Sequence, residues 1–410
     1  MVGSSIESLI GIRGFSTPAI IGMGGVIRQH FSDFIVREIL PNGSPISDGS
    51  KIGFGAIGGL YVHCILQKSG LDTFTAIRKI SNCLKVSEGD FGYAGLKDAE
   101  AVTYQRISIW NIRINRVIAI DLPQIRLFNP VRQRFAVKIG DLIGNHFEIT
   151  IRKIQRNWNS LMWEEFMRSI SSRGILNYFM AQRFGSRRPI LHLIGRFLIQ
   201  KRYTEVIRTY LGHTSLLENP KITELRKNWL QNWKEGEEIK NAFIFPNSYH
   251  IENIMLKGLK RGLPARSIIE NLPQAFLRLA ISAYQSYLYN IVLSYLNKSH
   301  IITKNTLIPL IGYQSPKHKH LFSELVWDTM NEILEDEAVD FDCFRHVELP
   351  WLRSKGSKRN AVVYPTNFER FRLASSAIKV AFSLPKGSYG TAVMRELLKD
   401  QRDLEMGHSG

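Results

Sequence analysis

The apolar positions of the first 175 residues fall into short runs, several alternating with polar positions as strands with one covered face do. "DFIVREI" at 33–39 and "LYVHCILQK" at 60–68 read this way, separated by the turn-rich "PNGSPISDGS". "DTFTAIRKISNCLKV" at 72–86 has helical spacing instead. Asp72 or Thr73 caps it, and Phe74, Ile77, Ile80 and Leu84 share one face. "YQRISIWNIRI" (104–114), "RFAVKIG" (134–140) and "HFEITIRKI" (146–154) predict further strands. A helix is expected from Asn159 or Ser160 to Gly174, a residue suited to a C-cap.

After Gly174 the pattern changes. Residues 175–335 carry several helical patterns and few strand patterns. The longest, "PQAFLRLAISAYQSYLYNIVLSYL", is apolar on most faces and predicts a buried helix. Strand patterns return at "AVVYP" and "AIKVAFSLP", and "YGTAVMRELLK" closes as a helix. This order predicts an α+β fold interrupted by a mostly helical insertion, with divisions at 1–173, 174–346 and 347–410.

Charge sharpens the picture. Lys and Arg number 54 against 36 Asp and Glu, a formal net charge of +18 over 410 residues. A surplus of that size points to a polyanionic partner, nucleic acid before others. The three cysteines, Cys64, Cys83 and Cys343, are widely spaced and odd in number, which fits no disulfide framework. No apolar run approaches the roughly 18–20 residues that span a membrane, and the N-terminal "TPAIIGMGGVI" is short and broken by Gly. A cytoplasmic protein is expected, with no membrane association and no obligate protein partner.

Familiar chemical motifs are absent or out of context. "GFGAIG" at 53–58 has dinucleotide-loop spacing, but a loop precedes it and a strand-like segment follows, the wrong setting. His318, His320, Cys343 and His346 have metal-ligand chemistry at spacings that match no zinc pattern, so no metal site is expected. Three stretches stand out. "NYFMAQRFGSRRP" at 177–189 interleaves aromatics with Arg183, Arg187 and Arg188, as stacked bases and phosphates require, although a packed loop with a basic rim has the same composition. "GNHF" at 144–147 sets Asn145 just before a strand, where Phe147 is core by default. "KGSYGTAV" at 386–393 puts Tyr389 on a Gly-flanked turn opening a helix. A fourth stretch, "GLKDAEAVTYQ" at 95–105, sets the carboxylate of Asp98 on a turn, an ordinary surface feature by composition alone.

Taken together, the motifs resemble the TruD family of tRNA pseudouridine synthases. "AGLKDAEAVTYQ" is similar to that family's most diagnostic motif. "DFIVREI", "GNHFEITIR", "NYFMAQRFGSRRPILH", "QSYLYN" and "LPKGSYGTAVMREL" match others in the family's order, from about residue 25 to 400. "RRPILH" is closer to the archaeal and eukaryotic branch. Three positions depart from the usual pattern: Arg28 stands where lysine is common, Met180 for glycine, and Tyr389 for phenylalanine.

The resemblance implies a catalytic domain of the pseudouridine-synthase type, with a mixed or antiparallel sheet, interrupted by the family's helical insertion. It implies isomerisation of uridine in tRNA, at uridine 13 or in other structured RNA, without a cofactor. Asp98 is then the catalytic residue, either attacking C1′ or removing a proton from the sugar. Arg28 or Lys97 is the candidate cation beside it. Phe34, Phe147 and Tyr389 would supply the aromatic side chains that hold the extruded base, with Phe34 and Tyr389 contacting or stacking on it, and Asn145 would bond near the carboxylate or the uracil edge. Lys97, Arg183, Arg187 and Arg188 are candidate RNA contacts. A rival is a non-catalytic RNA-binding chaperone of the same fold; a metal-dependent nuclease would need clustered carboxylates that the chain lacks around Asp98.

Overall fold

The computed structural model describes residues 5–50, 58–215, 217–235 and 244–399. Residues 53–57 of the "GFGAIG" stretch lie outside them. The chain divides into two compact units, one comprising 19–175 and 363–410, the other 1–18 and 176–362. The later boundary falls past the expected 346. Ser357–Asn360 pairs with Leu307–Leu310, which keeps that segment with the helices.

The first unit is built on strands β1 (Phe34–Ile39), β2 (Tyr61–Ser69), β3 (Phe91–Tyr93), β4 (Val102–Trp110), β5 (Ile125–Gln133), β6 (Gly144–Ile151), β7 (Thr366–Ala374) and β8 (Ala377–Pro385). They form one sheet in the order β7-β8-β6-β1-β4-β2-β5, with β3 beside β4. β1 runs parallel to β4; the other pairings are antiparallel. The fold is α+β, as the patterning predicts, and the sheet is mixed, one of the two forms the resemblance implies.

Helix α1 (Thr73–Leu84) starts where the Asp72 carboxylate accepts from the Thr75 amide at 2.9 Å. It buries Ala76, Ile77, Ile80 and Leu84 against Val62, Cys64, Ile107 and Ile109 of β2 and β4. Phe74, assigned to that face by spacing, is instead 49% exposed and meets Tyr93 edge-on. The helical phase places Thr73 and Ala76 inward in its stead. Helix α2 (Ser160–Arg173) is capped by Asn159 and stopped by Gly174 at φ +73°. Its Phe166 packs on Phe368 of β7. Helix α3 (Gly390–Leu398) follows β8 and is buried along most of its length.

Four segments differ from the pattern. "RFAVKIG" is a loop: Val137 is buried with Ala94 and Leu142, while Phe135 and Ile139 are 76% and 73% exposed. The ladder uses β5 instead, whose Pro130 and positive-φ Asn129 disguise it. An edge strand tolerates a missing N–H, and its register against β2 shifts there. β7 was equally hidden, because nearly all its side chains are exposed and carry no apolar stripe. "AVVYP" supplies only the two-residue strand Val362–Val363.

The second unit is helical around Gln274–Lys298, buried on most faces as its composition predicts. Gly195 of the helix Leu191–Ile199 lies so close to it that a Cβ would sit 2.1 Å from the Ala280 carbonyl oxygen. The buried Asn290 amide bonds Ile10 O and both the N–H and C=O of Phe179, tying the N-terminal segment and the 177–184 stretch to this helix.

Candidate active site

The turn bearing Asp98 joins β3 to β4 and is fixed from below. The Lys97 amide donates to Thr73 Oγ1 at 3.0 Å, and that hydroxyl donates to Gln105 Oε1 of β4. The Lys68 ammonium, at the buried end of β2, donates to the carbonyls of Asp98 (2.7 Å), Lys97 (3.4 Å) and Leu71. Burial pulls Lys68 down to about 8, opposed by Asp98 and Asp72. Lys97 Nζ lies 3.4 Å from Glu38 Oε2, both side chains sealed from solvent. Burial pushes the Glu38 carboxyl up, with Lys97 and Arg106 opposing.

The Asp98 carboxylate itself points outward, 37% exposed, and accepts from Arg28 Nη2 at 3.1 Å. The Arg28 guanidinium also lies over the Phe34 ring, 4.1 Å from its centroid. Arg28 adopts φ +63°, a left-handed conformation that a side-chain-bearing residue rarely holds without compensating contacts. Just after it, Asp33 caps His30 and grips Arg152 through three bonds of 2.7–3.0 Å, setting where β1 begins.

Strand register gathers the remaining candidates on one sheet face. Phe34 faces Ile149, Val36 faces Phe147 and Glu38 faces Asn145 across β1 and β6. Helix α1 covers this face over β2 and β4, and α3 reaches Phe147 of β6; β1 lies between. Phe34 and Phe147 meet edge-on at 6.2 Å, and Phe147 stacks on Phe382 at 5.5 Å. Phe34 is 1% exposed and Phe147 5%, so both are floor rather than open stacking surfaces. Tyr389, half-buried, is the N-cap residue of α3. Gly390 beside it admits no Cβ, which would lie 2.7 Å from Phe147 Cδ1. Among the described residues, Asn145 Oδ1 and Thr103 Oγ1 are buried without a hydrogen-bond partner. A buried acceptor in that condition costs about 1–3 kcal/mol, which a bound donor would recover.

Of the expected RNA contacts, Lys97 is withdrawn from solvent because its ammonium pairs with Glu38. Arg188 is likewise internal: it donates to the carbonyls of Tyr210 and His213 and pairs with Glu252, itself held by the buried Arg226. Arg183 donates to Ser286 and Ser282 of the long helix, while Arg187 is exposed. These three arginines belong to the second unit. His346 is buried on the Leu198 carbonyl, and among the described residues no three His, Cys, Asp or Glu side chains converge as metal ligands do. The patterning missed Glu38 and Lys68. Each is a charged residue in phase with a buried stripe, Phe34–Val36–Glu38 and Val62–Cys64–Leu66–Lys68, and that phase was the available signal.

Residues 10–307 and 303–397 match the family model for tRNA pseudouridine synthase D, TruD. A probable tRNA pseudouridine synthase D of Thermococcus gammatolerans is 30% identical, covering 92% of this chain and 96% of its own. Its counterpart in Methanosarcina mazei is 29% identical over 96% of this chain and 97% of its own. The crystal structure of a putative tRNA pseudouridine synthase D from Methanosarcina mazei superposes with a TM-score of 0.74 at 27% identity, covering 99% of this chain and 100% of that one. With the diagnostic turn, the aromatic floor and this length of agreement, the chain belongs to the TruD family of tRNA pseudouridine synthases.

Proposed function

We propose that this protein isomerises uridine to pseudouridine in tRNA, at uridine 13, with Asp98 as the catalytic carboxylate. The observation that carries the reading is the Arg28–Asp98 contact above Phe34: a part-exposed carboxylate, oriented by a guanidinium, on a turn braced by Lys68.

The chemistry is an internal exchange. The C1′–N1 bond breaks, the freed uracil turns, a C1′–C5 bond forms, and the proton lost from C5 is balanced by one gained at N1. Atoms and electrons are conserved, so the reaction calls for no redox partner. Asp98 acts at the sugar, attacking C1′ or removing a sugar proton, and both routes need its carboxylate. Arg28 holds that carboxylate in one rotamer. Asn145, whose buried Oδ1 has no donor among the described residues, suits the uracil N3–H. Tyr389 provides an edge against which an extruded base can rest. The net charge of +18 favours a polyanionic substrate.

The test is Asp98→Asn, nearly isosteric. Unmodified tRNA transcripts are incubated with each protein, and pseudouridine is mapped along them. The wild type is expected to modify position 13 and the variant nothing, with tRNA affinity kept within a few fold. Modification by Asp98→Asn would overturn the catalytic assignment. An unmodified tRNA in both reactions would favour the RNA-chaperone reading, and a different modified position would correct the target.

A further inference from the structure

A cavity lies on the same sheet face as Asp98's neighbours, at the outer edge of the sheet. It has a volume of about 530 Å³, within the range of sites that hold small ligands. Trp158 and Trp163 form part of its lining, packed at 5.0 Å, and Arg156, Arg370 and Arg372 stand around it. The Arg370 guanidinium lies over the Trp163 ring at 4.9 Å. Arg156 donates to the Gly22 carbonyl. Arg370 and Arg372 are exposed, and among the described residues neither has an acidic partner.

An arginine without an acidic partner, held against a tryptophan with two more arginines beside it, is arranged for an anion. A guanidinium stacked on a ring keeps its fork in plane and loses less freedom on bidentate binding to phosphate. Asn157 and Ser375, also in the lining, offer groups that suit ribose hydroxyls. The register ties this cavity to the site. Arg370 faces Val380, Val380 faces Ile149, and Ile149 faces Phe34. The row crosses three strand spacings, about 15 Å. Val380, Ile149 and Phe34 are buried, so this row measures the separation between the two places and is not itself a surface for RNA; one RNA strand is long enough to reach both.

We infer that the Arg156–Arg370–Arg372 cavity is a second RNA subsite, which holds a backbone phosphate and its ribose from the substrate whose uridine enters beside Asp98. The inference rests on the proposed reaction for its choice of polyanion. It assigns the cavity to RNA, not to a free phosphate ion.

The experiment measures tRNA affinity against KCl for the wild type, for Arg370→Gln/Arg372→Gln, and for Arg370→Lys/Arg372→Lys. Both positions are exposed, and unfolding curves check that the variants fold. Each phosphate left without its arginine is expected to weaken binding by roughly tenfold at 0.1 M salt and to reduce the log–log salt slope by about 0.7–0.9. The lysine pair is expected to restore the slope but not the full affinity, because it supplies charge without the fork. Unchanged affinity and slope in the glutamine pair would overturn the inference. So would tight binding of inorganic phosphate to the wild type, abolished in the glutamine pair while tRNA binding persists. Pseudouridine yield by the wild type on the same tRNA reports separately on the reaction, so a failure of one is not mistaken for a failure of the other.

Discussion

Lys97 Nζ and Glu38 Oε2 form an ion pair at 3.4 Å with side chains only 4% and 0% exposed, one residue away from an Asp98 carboxylate that is 37% exposed. The chain thus turns one charged side chain inward and the next outward. The inward pair joins the Asp98 turn to β1, the strand that carries Phe34. Removing one partner of a buried pair strands the other. Lys97→Met is therefore expected to lose about 3–5 kcal/mol of stability near pH 7. The Glu38 carboxyl is already raised by burial. A raised acid favours the fold below its unfolded value and loses that advantage as pH rises through its folded value. The Lys97→Met deficit should accordingly shrink at pH 5, and Glu38→Gln/Lys97→Met should recover much of it. Urea unfolding at both pH values checks this.

Arg28 touches both Asp98 and the Phe34 ring. Arg28→Gln removes the charge and is expected to lower kcat by about 10², the order found when one preorganised donor is removed. Arg28→Lys keeps the charge but not the planar contact, and an intermediate rate is expected. Single-turnover assays at saturating tRNA separate this from weaker binding.

Gly390 lies against the Phe147 ring where α3 begins. Gly390→Ala forces the ring or the helix to move, at a cost of about 1–3 kcal/mol. Because Phe147 packs on Phe34, the shift is expected to reach the floor beneath Arg28 and slow turnover. Phe147→Leu in the same chain makes room and should return part of the stability, read from melting curves, without returning the rate.

Lys68 predicts opposite responses to pH. Its native value is lowered to about 8 from 10.5 by burial. Between those values the native state gives up a proton that the unfolded chain retains, so stability rises with pH, by about 3 kcal/mol at most on full titration. Over the same range the amine keeps two donors for three carbonyl acceptors, so the bracing of the Asp98 turn weakens. Activity is expected to fall with an apparent value near 8 while stability climbs. Lys68→Met should start low and lose both trends relative to the wild type.

Much of the site was legible in the chain. Asp98 on its turn and Tyr389 before a helix stand where local pattern put them, whereas Asn145, expected just before a strand, is already its second residue. The strands with alternating apolar residues and the helices with capped ends were readable for the same reason, since their signals lie within a few residues. β5 and β7 were not, because Pro130 breaks one pattern and exposure erases the other. Arg188 of the 177–189 stretch was hard to read for a related reason. Arg188 looks like a solvated phosphate contact, yet it is captured by carbonyls and by Glu252, which lies 64 residues away in sequence.

Local order, then, was enough for the α+β class and for the helical interruption, since period and caps are properties of neighbouring residues; Asp98 was singled out by the resemblance of its motif to a family. Tertiary structure alone decided which charges face inward. Lys97 and Asp98 are adjacent and similarly polar, and no local rule separates them. What separates them is Glu38, 59 residues earlier and brought within 3.4 Å by the parallel pairing of β1 with β4. Charge in a protein is made structural or chemical by what the fold sets against it, because burial penalises an ion until an opposite one arrives.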